Sequence, residues 1–320
     1  MTVPVLVVGV PRSGTTWVAE TLATAAGGSY LEEPDNHFRF AYAFRAKHRL
    51  GTREYPRPAS RSTPPGIDDY DALWRSAFSQ EPAAGRWHRR RRIANAVVAR
   101  ADSRRVSAAL ARPNIRDPNL VLANSIAVPE RPAGSGPLVV KSVYAALAAE
   151  WIASRHEVRV VAVLRSPLNV VSSWIALDWL PPSGPDPLST LEPAFADDLA
   201  RRFDTAAPAG SALARAAWLL GVLTCELDEA TRRNPTWARV VHEELCLTPG
   251  EEYPRIAEQV GLRWSAAGDR SLAEGNRPGR GYETARVAAD EGEAWRDRLD
   301  DSQVREIQAV LERLPLGLDA

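Results

Sequence analysis

The sequence predicts an α/β fold in which helices cover both faces of a doubly wound, mostly parallel sheet. Two observations lead to this prediction. Short segments rich in valine and leucine recur along the chain, and segments with helical periodicity lie between them. Near-continuous apolar runs are typical of strands that are buried on both faces. Strands that alternate with helices form parallel sheets, because each helix carries the chain back across the sheet.

The predicted elements follow from these patterns in chain order. The apolar runs predict strands over residues 5–10, 29–33, 137–143, 158–164 and 238–244. The helical patterns cover residues 15–26, 144–155, 167–177, 211–233 and 301–314. Gly27 and Gly28 end the first helix, because glycine readily adopts the left-handed conformation that closes a helix.

Length and composition predict one large domain over residues 1–320. The 320 residues are 45% hydrophobic, which is enough for a packed core. Residues 51–136, with a proline-rich and an arginine-rich part, and residues 181–210, rich in Pro, Asp and Ala, interrupt the alternation. We expect both to be insertions at one end of the sheet. Open α/β sheets bind ligands at the carboxyl ends of their strands, so the insertions would form a lid or an acceptor pocket there.

Composition and charge argue against several classes of protein. The formal net charge of +0 argues against a general nucleic-acid binder. The basic stretch at residues 86–105 fits a solvated helix face better than a site for an acidic acceptor or a carrier protein. Cys225 and Cys246 provide neither a disulfide framework nor a metal site. The chain starts without a secretory signal and has no apolar stretch long enough to span a bilayer, so we expect a soluble, cytoplasmic protein.

Residues 7–16, VVGVPRSGTT, have the pattern of a strand, a tight loop and a helix start. Gly9 and Gly14 let the loop bend around an anion, so that backbone N–H groups and the positive end of the helix dipole point at it. A Walker lysine would follow the second glycine, but the loop instead contains Arg12. Its guanidinium can form two parallel hydrogen bonds with phosphate or sulfate oxygens. Further hydroxyl donors are Ser13, Thr15 and Thr16.

A second anion-binding segment is predicted in VVAVLRSPLNVVSSW, residues 160–174. Arg165 ends a strand, Ser166 is a candidate N-cap, and Pro167 fits the first helical position. Arg165 and Ser173, on the following helix, can together hold one more phosphate. The alternative is a helix cap with a surface ion pair, and this segment alone favours neither.

Together, the motifs PRSGTTW and LRSPLNVVSS resemble the sulfotransferase family that uses 3′-phosphoadenosine 5′-phosphosulfate (PAPS) and releases 3′-phosphoadenosine 5′-phosphate (PAP). An arginine at this position of the loop is similar to the pattern of the tyrosylprotein members, which also have PRSGTT. Trp17 is similar to the cytosolic members, where it contacts adenine, although packing beneath the loop would also explain it. The resemblance implies a P-loop-like fold, no metal ion, and binding of the 3′-phosphate by Arg165 and Ser173. The 5′-phosphosulfate is expected to lie on Arg12, Ser13, Gly14, Thr15 and Thr16.

The resemblance also implies the catalytic groups. Lys141 follows a predicted strand at the position of a second cation on the phosphosulfate, and Arg12 and Lys141 would stabilise the leaving phosphate. Glu33 lies 21 residues beyond Arg12. In the tyrosylprotein members, a glutamate at the same spacing from the loop arginine is the general base, so the resemblance implies this role for Glu33. Its neighbour Glu32 is the alternative base.

Histidine is the base in the cytosolic members, two residues after the strand lysine, but that position is Val143 here. His37, near the acceptor side by sequence, ranks below Glu33 as a base. The histidines expected at the surface or at strand ends are His88, His156 and His242.

The C-terminal stretch NRPGRGYETARVAADEGEAWRDRL, residues 276–299, combines a loop rich in glycine and arginine with the start of a helix that contains tryptophan. In the family, a mobile stretch of this kind closes over the 3′-phosphate. Arg286 is the candidate contact, with Arg277 and Arg280 as alternatives, because the local spacing does not match the family well.

The predicted function is transfer of a sulfuryl group from PAPS to a hydroxyl, less favourably an amine, of a small-molecule, natural-product or glycan acceptor. A homodimer is left open. One alternative is a P-loop kinase-like phosphotransferase, which predicts a lysine after Gly14 and a metal-holding acid where Leu164 and Arg165 stand. The other is a non-catalytic nucleotide- or anion-binding protein, which would tolerate loss of Glu33 and Lys141, yet both are present.

Overall fold

A five-stranded parallel sheet lies at the centre of the described part of the protein. The computed structural model describes residues 2–51, 54–58, 66–79, 136–278 and 287–318. The strands are β1 (Val5–Gly9), β2 (Ser29–Glu32), β3 (Leu138–Ser142), β4 (Arg159–Leu164) and β5 (Ala238–Val241). Their order across the sheet is β2-β3-β1-β4-β5, and every pairing is parallel. The predicted α/β class with a mostly parallel sheet is therefore confirmed.

Helices form most of the connections between the strands. They are α1 (Thr15–Ala25), α2 (Ala41–Arg49), α3 (Ile67–Phe78), α4 (Ala149–Arg155), α5 (Pro167–Ala176), α6 (Pro193–Arg202), α7 (Ala212–Arg233), α8 (His242–Leu247), α9 (Pro249–Gln259), α10 (Ala266–Gly275), α11 (Ala288–Glu291) and α12 (Asp301–Leu311). Short 3₁₀ turns lie at Ala146–Ala148 and Pro187–Thr190. Within the described ranges, no helix combines the length and the apolar character needed to cross a bilayer.

The side chains of β1 alternate between two cores, because successive residues of a strand point to opposite faces of the sheet. Leu6 and Val8 pack into a core that includes side chains of α3 and α4. Val5 and Val7 pack into a core that includes α1 and α9. All four side chains are 0% exposed. Burial on both faces explains why the predicted strands have valine runs rather than an alternation of polar and apolar residues.

A third core lies among helices and holds α5 in place. Its buried members include Leu168 of α5, Trp218 of α7 and Ile307 of α12. This packing fixes the helix that carries Ser173 at the carboxyl end of β4. The sequence-predicted position of Pro167 at the first turn of α5 is confirmed, whereas Ser166 precedes the helix without a side-chain cap bond.

The predicted end of the last strand, residues 238–244, is wrong. The strand stops at Val241, and α8 begins at His242. Glu243 and Glu244 lie in the first helical turn, where acidic side chains are favoured by the helix dipole. The predicted helix at 144–155 also starts later, because a 3₁₀ turn precedes α4.

The two predicted insertions are described unequally. Residues 80–135, with the basic stretch 86–105, lie outside the described residues. The described part of the first insertion includes α3, whose Trp74 is buried in the same core as β1. The second, residues 181–210, includes α6. The proposal that both belong to one domain with acceptor-side insertions stays a prediction.

A leucine pair tests the account of the core. Leu6→Ala is expected to lower the free energy of unfolding by about 2–5 kcal/mol, because Leu6 is 0% exposed and its loss leaves a cavity in the central strand. The matched control is Leu247→Ala, because Leu247 is 78% exposed and should cost less than about 0.5 kcal/mol. Denaturant unfolding measures both. Equal losses would contradict the assignment of β1 to the core.

Candidate active site

A cavity of about 720 Å³ lies at the carboxyl ends of the strands. Each of the five strands leads to a residue of its wall, which is the usual place for a ligand in an open α/β sheet. The residues that follow or end the strands and line the cavity are Arg12, Glu33, Lys141, Arg165 and His242.

The loop after β1 is packed so tightly that its glycines have no room for a side chain. A Cβ on Gly9 would collide with Ser13, and a Cβ on Gly14 would collide with the His242 ring. Gly14 also has a φ of 90°, a left-handed conformation that glycine adopts at little cost. The helix α1 that follows has no acidic residue in its first turn and no side-chain cap. Its first backbone N–H groups lack intrahelical acceptors and so can bind an anion.

The strand order sets cations on both sides of this loop. β1 pairs with β3 on one side and with β4 on the other. Lys141 of β3 and Arg165 after β4 therefore flank the loop that contains Arg12, and all three residues line the cavity.

The two predicted anion-binding segments meet in one cluster. Arg12 Nε donates to Ser173 Oγ over 3.0 Å. Arg165 Nη1 donates to the main-chain oxygen of Arg12 over 3.0 Å. Trp174 Nε1 donates to the Pro11 carbonyl over 3.3 Å. Arg12 has a φ of 74°, so the loop backbone is held in a left-handed turn where these contacts meet.

Arg165 is buried and faces carboxylates. The residue is 5% exposed, and its Nη2 donates to Glu291 Oε2 over 2.8 Å. Glu243 Oε1 lies 3.9 Å from Arg165 Nε, which has no hydrogen-bond acceptor among the described residues. Glu243 itself accepts from the Ser166 backbone and from Asn169. The sequence gives no local signal for this contact of Glu291, because the two residues are 126 positions apart.

Glu33 and Lys141 form a close ion pair at the neighbouring strand ends. Lys141 Nζ lies 2.6 Å from Glu33 Oε1 and 3.7 Å from Glu32 Oε1. Asn36 Nδ2 donates to the other Glu33 oxygen over 2.7 Å. The Glu33 side chain is 12% exposed, whereas that of Glu32 is 40% exposed and bonds to Arg39. Of the two neighbouring glutamates, Glu33 is therefore the one whose carboxylate is largely buried and fixed by hydrogen bonds.

His37 and His242, two of the described histidines, are weak bases because they are buried. Burial lowers the pKa of His37 to about 2, so this ring is a weak base, and it is not among the described residues that line the cavity. His242 does line it, but burial and then the charge of Arg165 lower the pKa of His242 well below its usual range. His242 stands directly after the end of β5, which confirms the predicted strand-end position, and there it is 4% exposed and packs on Gly14.

The other lysine of the chain, Lys47, is buried next to the cavity wall. Lys47 is 1% exposed, its ammonium lies 4.3 Å from the ring centre of Tyr144, and it donates to the Glu54 carbonyl over 3.0 Å. Asp35 Oδ2 lies 3.8 Å away, and Asp35 Oδ1 accepts from Ser142 Oγ over 2.6 Å. Burial raises the pKa of Asp35 and lowers that of Lys47. This buried cluster supports the wall of the cavity behind Glu33.

The wall of the cavity is rich in aromatic side chains. The aromatic residues there are Phe38, Tyr55, Tyr144, Trp174 and Trp179. Ser183 and Gly184, from the second predicted insertion, also line the cavity. Trp17 lines it near the loop and packs edge-on against His242 and Tyr253.

The predicted C-terminal contact falls outside what can be described. Arg286 and Arg280 lie outside the described residues. Arg277 is described and is not among the residues that line the cavity. Among the described residues, no group of His, Cys, Asp or Glu side chains is arranged to hold a metal ion.

Comparison with known proteins found no matching family model and no matching curated protein. A sulfotransferase domain from the curacin biosynthetic pathway is 10% identical and covers 98% of each chain, with a TM-score of 0.43. The sulfotransferase domain of the Synechococcus PCC 7002 olefin synthase is 13% identical and covers 97% of this chain and 95% of its own, with a TM-score of 0.42. Retinol dehydratase in a complex with retinol and PAP is 15% identical and covers 99% of this chain and 83% of its own, with a TM-score of 0.42. Identities and TM-scores this low do not assign a function, and the geometry of the site is the basis for one.

A glycine pair tests the packing of the loop. Gly14→Ala should destabilise the protein more than Gly27→Ala, because both glycines have positive φ but only a Cβ on Gly14 meets another side chain. Each change should cost about 1–2 kcal/mol for the backbone conformation. Gly14→Ala should lose about 1–3 kcal/mol more through the collision with His242. Denaturant unfolding measures the difference, and equal losses would show that His242 does not pack on the loop.

Proposed function

We propose that the protein transfers a sulfuryl group from PAPS to a hydroxyl group of a small-molecule, natural-product or glycan acceptor. An amine acceptor is less favoured. The observation that carries this proposal is that Arg12 and Arg165 line one cavity with the Glu33–Lys141 pair. Arg12 also joins Arg165 to the buried Ser173 hydroxyl behind the cavity wall. The cavity combines two adjacent cation sites with a carboxylate that can accept a proton.

The loop and the start of α1 are proposed to bind the 5′-phosphosulfate. The N-terminal amides of the helix and the partial positive charge there favour an anion. The residues assigned to this contact are Arg12, Ser13, Gly14, Thr15 and Thr16. Trp17 is assigned to the adenine, since it lines the cavity beside the loop.

The 3′-phosphate is assigned to Arg165 and Ser173. The Ser173 hydroxyl accepts a hydrogen bond from Arg12 and keeps its own proton, which it can donate to a phosphate oxygen. The Arg165 guanidinium can form charge-assisted hydrogen bonds with the same group. Because both residues contact Arg12, the two phosphate sites would lie at the ends of one nucleotide.

In the proposed reaction, the acceptor oxygen attacks the sulfur of PAPS. The new O–S bond forms as the S–O bond to the 5′-phosphate breaks, and PAP leaves with the bonding electrons. Glu33 takes the proton of the acceptor hydroxyl. Lys141 and Arg12 stabilise the negative charge that grows on the leaving phosphate. Asn36 orients Glu33 through its hydrogen bond to Oε2.

Neither alternative is favoured by a specific observation. A P-loop kinase needs a lysine after the second loop glycine, but Thr15 stands there. A binding protein without catalysis would not need the buried Glu33–Lys141 pair. A cytoplasmic location and a homodimer are both further predictions.

Calorimetry with PAP and 5′-AMP tests the donor site, because the two ligands differ only in the 3′-phosphate. We expect PAP to bind about 10- to 100-fold more tightly, the scale of charge-assisted hydrogen bonds to one group. Arg165→Ala should remove this preference. Arg159→Ala is the matched control, since Arg159 lies at the other end of β4 and should change neither affinity. Equal binding of PAP and 5′-AMP to the natural protein, or tighter binding of ADP, would favour the kinase-like alternative.

A pair of glutamate variants tests the base. Glu33→Gln should lower the rate of sulfuryl transfer about 10²- to 10⁴-fold, because the amide cannot take the proton of the acceptor hydroxyl. PAP binding should not weaken, because the variant leaves Lys141 without its paired negative charge. Glu32→Gln is the control, and its rate should change less than about threefold because its half-exposed carboxylate pairs with Arg39. Sulfate transfer to a panel of alcohols is the assay. Unchanged turnover in Glu33→Gln would remove Glu33 from the mechanism.

A further inference from the structure

The carboxylate of Glu291 occupies the side of Arg165 that the proposed function assigns to a phosphate. Glu291 Oε2 lies 2.8 Å from Arg165 Nη2, and the Glu291 carbonyl oxygen lies 3.3 Å from the same nitrogen. The two side chains are 11% and 6% exposed. Both residues line the cavity, so this ion pair faces the space where the nucleotide would lie.

Anchors on both sides hold Glu291 on Arg165. Asn169 Nδ2 donates to the Gly292 carbonyl over 2.8 Å, and Asn169 Oδ1 accepts from the Trp295 backbone over 3.1 Å. On the other side, the Ala288 backbone donates to Asn276 Oδ1 over 3.0 Å. The residues between these anchors form a single helical turn, α11. Glu291 is therefore placed by a short segment that is tied down at both ends.

The charges around Arg165 leave little room for a phosphate beside Glu291. Glu243 Oε1 already lies 3.9 Å from Arg165 Nε. A phosphate bound while Glu291 stays in place would put like charges close together in a poorly solvated site, where their repulsion is strong. The 3′-phosphate can therefore bind well only if the Glu291 carboxylate moves away from Arg165.

We propose that Glu291 competes with the donor's 3′-phosphate for Arg165 and thereby sets the affinity for the donor. This inference rests on the proposed function. When the phosphate binds, the carboxylate turns toward Arg298, whose Nη2 already lies 3.6 Å from Glu291 Oε1. Glu243 stays in place because the Ser166 backbone and Asn169 hold it. The competition also favours nucleotides whose 3′ group carries more charge than a carboxylate.

Calorimetry on Glu291→Gln tests the proposal, with PAP and 5′-AMP as ligands. The variant keeps the size of the side chain and removes its charge. We expect PAP to bind about tenfold more tightly to the variant, the effect of about 1.4 kcal/mol of relieved competition. The affinity for 5′-AMP should stay within about twofold, because 5′-AMP has no 3′-phosphate to displace Glu291.

Glu293→Gln is the matched control. Glu293 lies two residues away, its side chain is 70% exposed, and it pairs with Arg296. The Glu293→Gln substitution removes the same formal charge at a residue that does not contact Arg165, so the affinity for PAP should not change. A gain for PAP in both variants, or an equal gain for 5′-AMP in Glu291→Gln, would reduce the effect to general electrostatics and overturn the proposal.

Amide hydrogen exchange on the natural protein gives a second measurement that needs no variant. We expect PAP, but not 5′-AMP, to change the exchange of the backbone amides in residues 288–292. If PAP and 5′-AMP leave the same exchange pattern there, the proposal fails.

The outcomes separate this inference from the proposed function. If PAP binds the natural protein more tightly than 5′-AMP does and Arg165→Ala removes that preference, the donor site stands. An unchanged or weaker affinity of Glu291→Gln for PAP then overturns the competition alone. If the natural protein binds PAP no more tightly than 5′-AMP, both the donor site and the competition fail.

Discussion

The hydrogen bond from the Arg165 guanidinium to the main-chain oxygen of Arg12 is the contact on which the account of the site depends. It joins the end of β4 to the loop after β1 over 3.0 Å. The partner contact from Arg12 to Ser173 joins the same loop to α5. Two segments that are more than 150 residues apart in the sequence thus become one cluster of cations and hydroxyl groups. Without this junction, the loop would be a site for a single anion, and Arg165 would only form a buried ion pair with Glu291.

The sheet order makes that junction possible. Because β1 lies between β3 and β4, the loop after β1 emerges with Lys141 on one side and Arg165 on the other. The strand β2 lies beyond β3, and its backbone continues into Glu33, whose amide donates to the Lys141 carbonyl over 2.7 Å. The proposed base is therefore fixed to the proposed cation by the backbone as well as by the ion pair. The proposed cation and base come from neighbouring strands, while the proposed second phosphate site comes from the opposite side of β1.

Much of the fold and part of the site could be predicted from the sequence, for local reasons. The strands are buried on both faces, so valine runs in the sequence predict them. Gly9 is required by its close contact with Ser13 of the same loop, and Gly14 by its left-handed backbone conformation. The predicted end of β5 is wrong, because the residues that follow Val241 begin a helix whose first turn contains Glu243 and Glu244. Long-range placement carries no such local signal. Nothing near Glu291 in the sequence indicates that its carboxylate reaches Arg165, 126 residues away. The burial of His242 on Gly14 is hidden for the same reason.

A structure of the protein with PAP bound is the decisive test of the junction between Arg12, Arg165 and Ser173. We expect the 5′-phosphate to lie on the amides at the start of α1. We also expect the 3′-phosphate to lie within hydrogen-bond distance of Arg165 and Ser173, with the Glu291 carboxylate displaced. A bound nucleotide whose ribose lies away from Arg165, with Glu291 still paired to that guanidinium, would contradict this expectation.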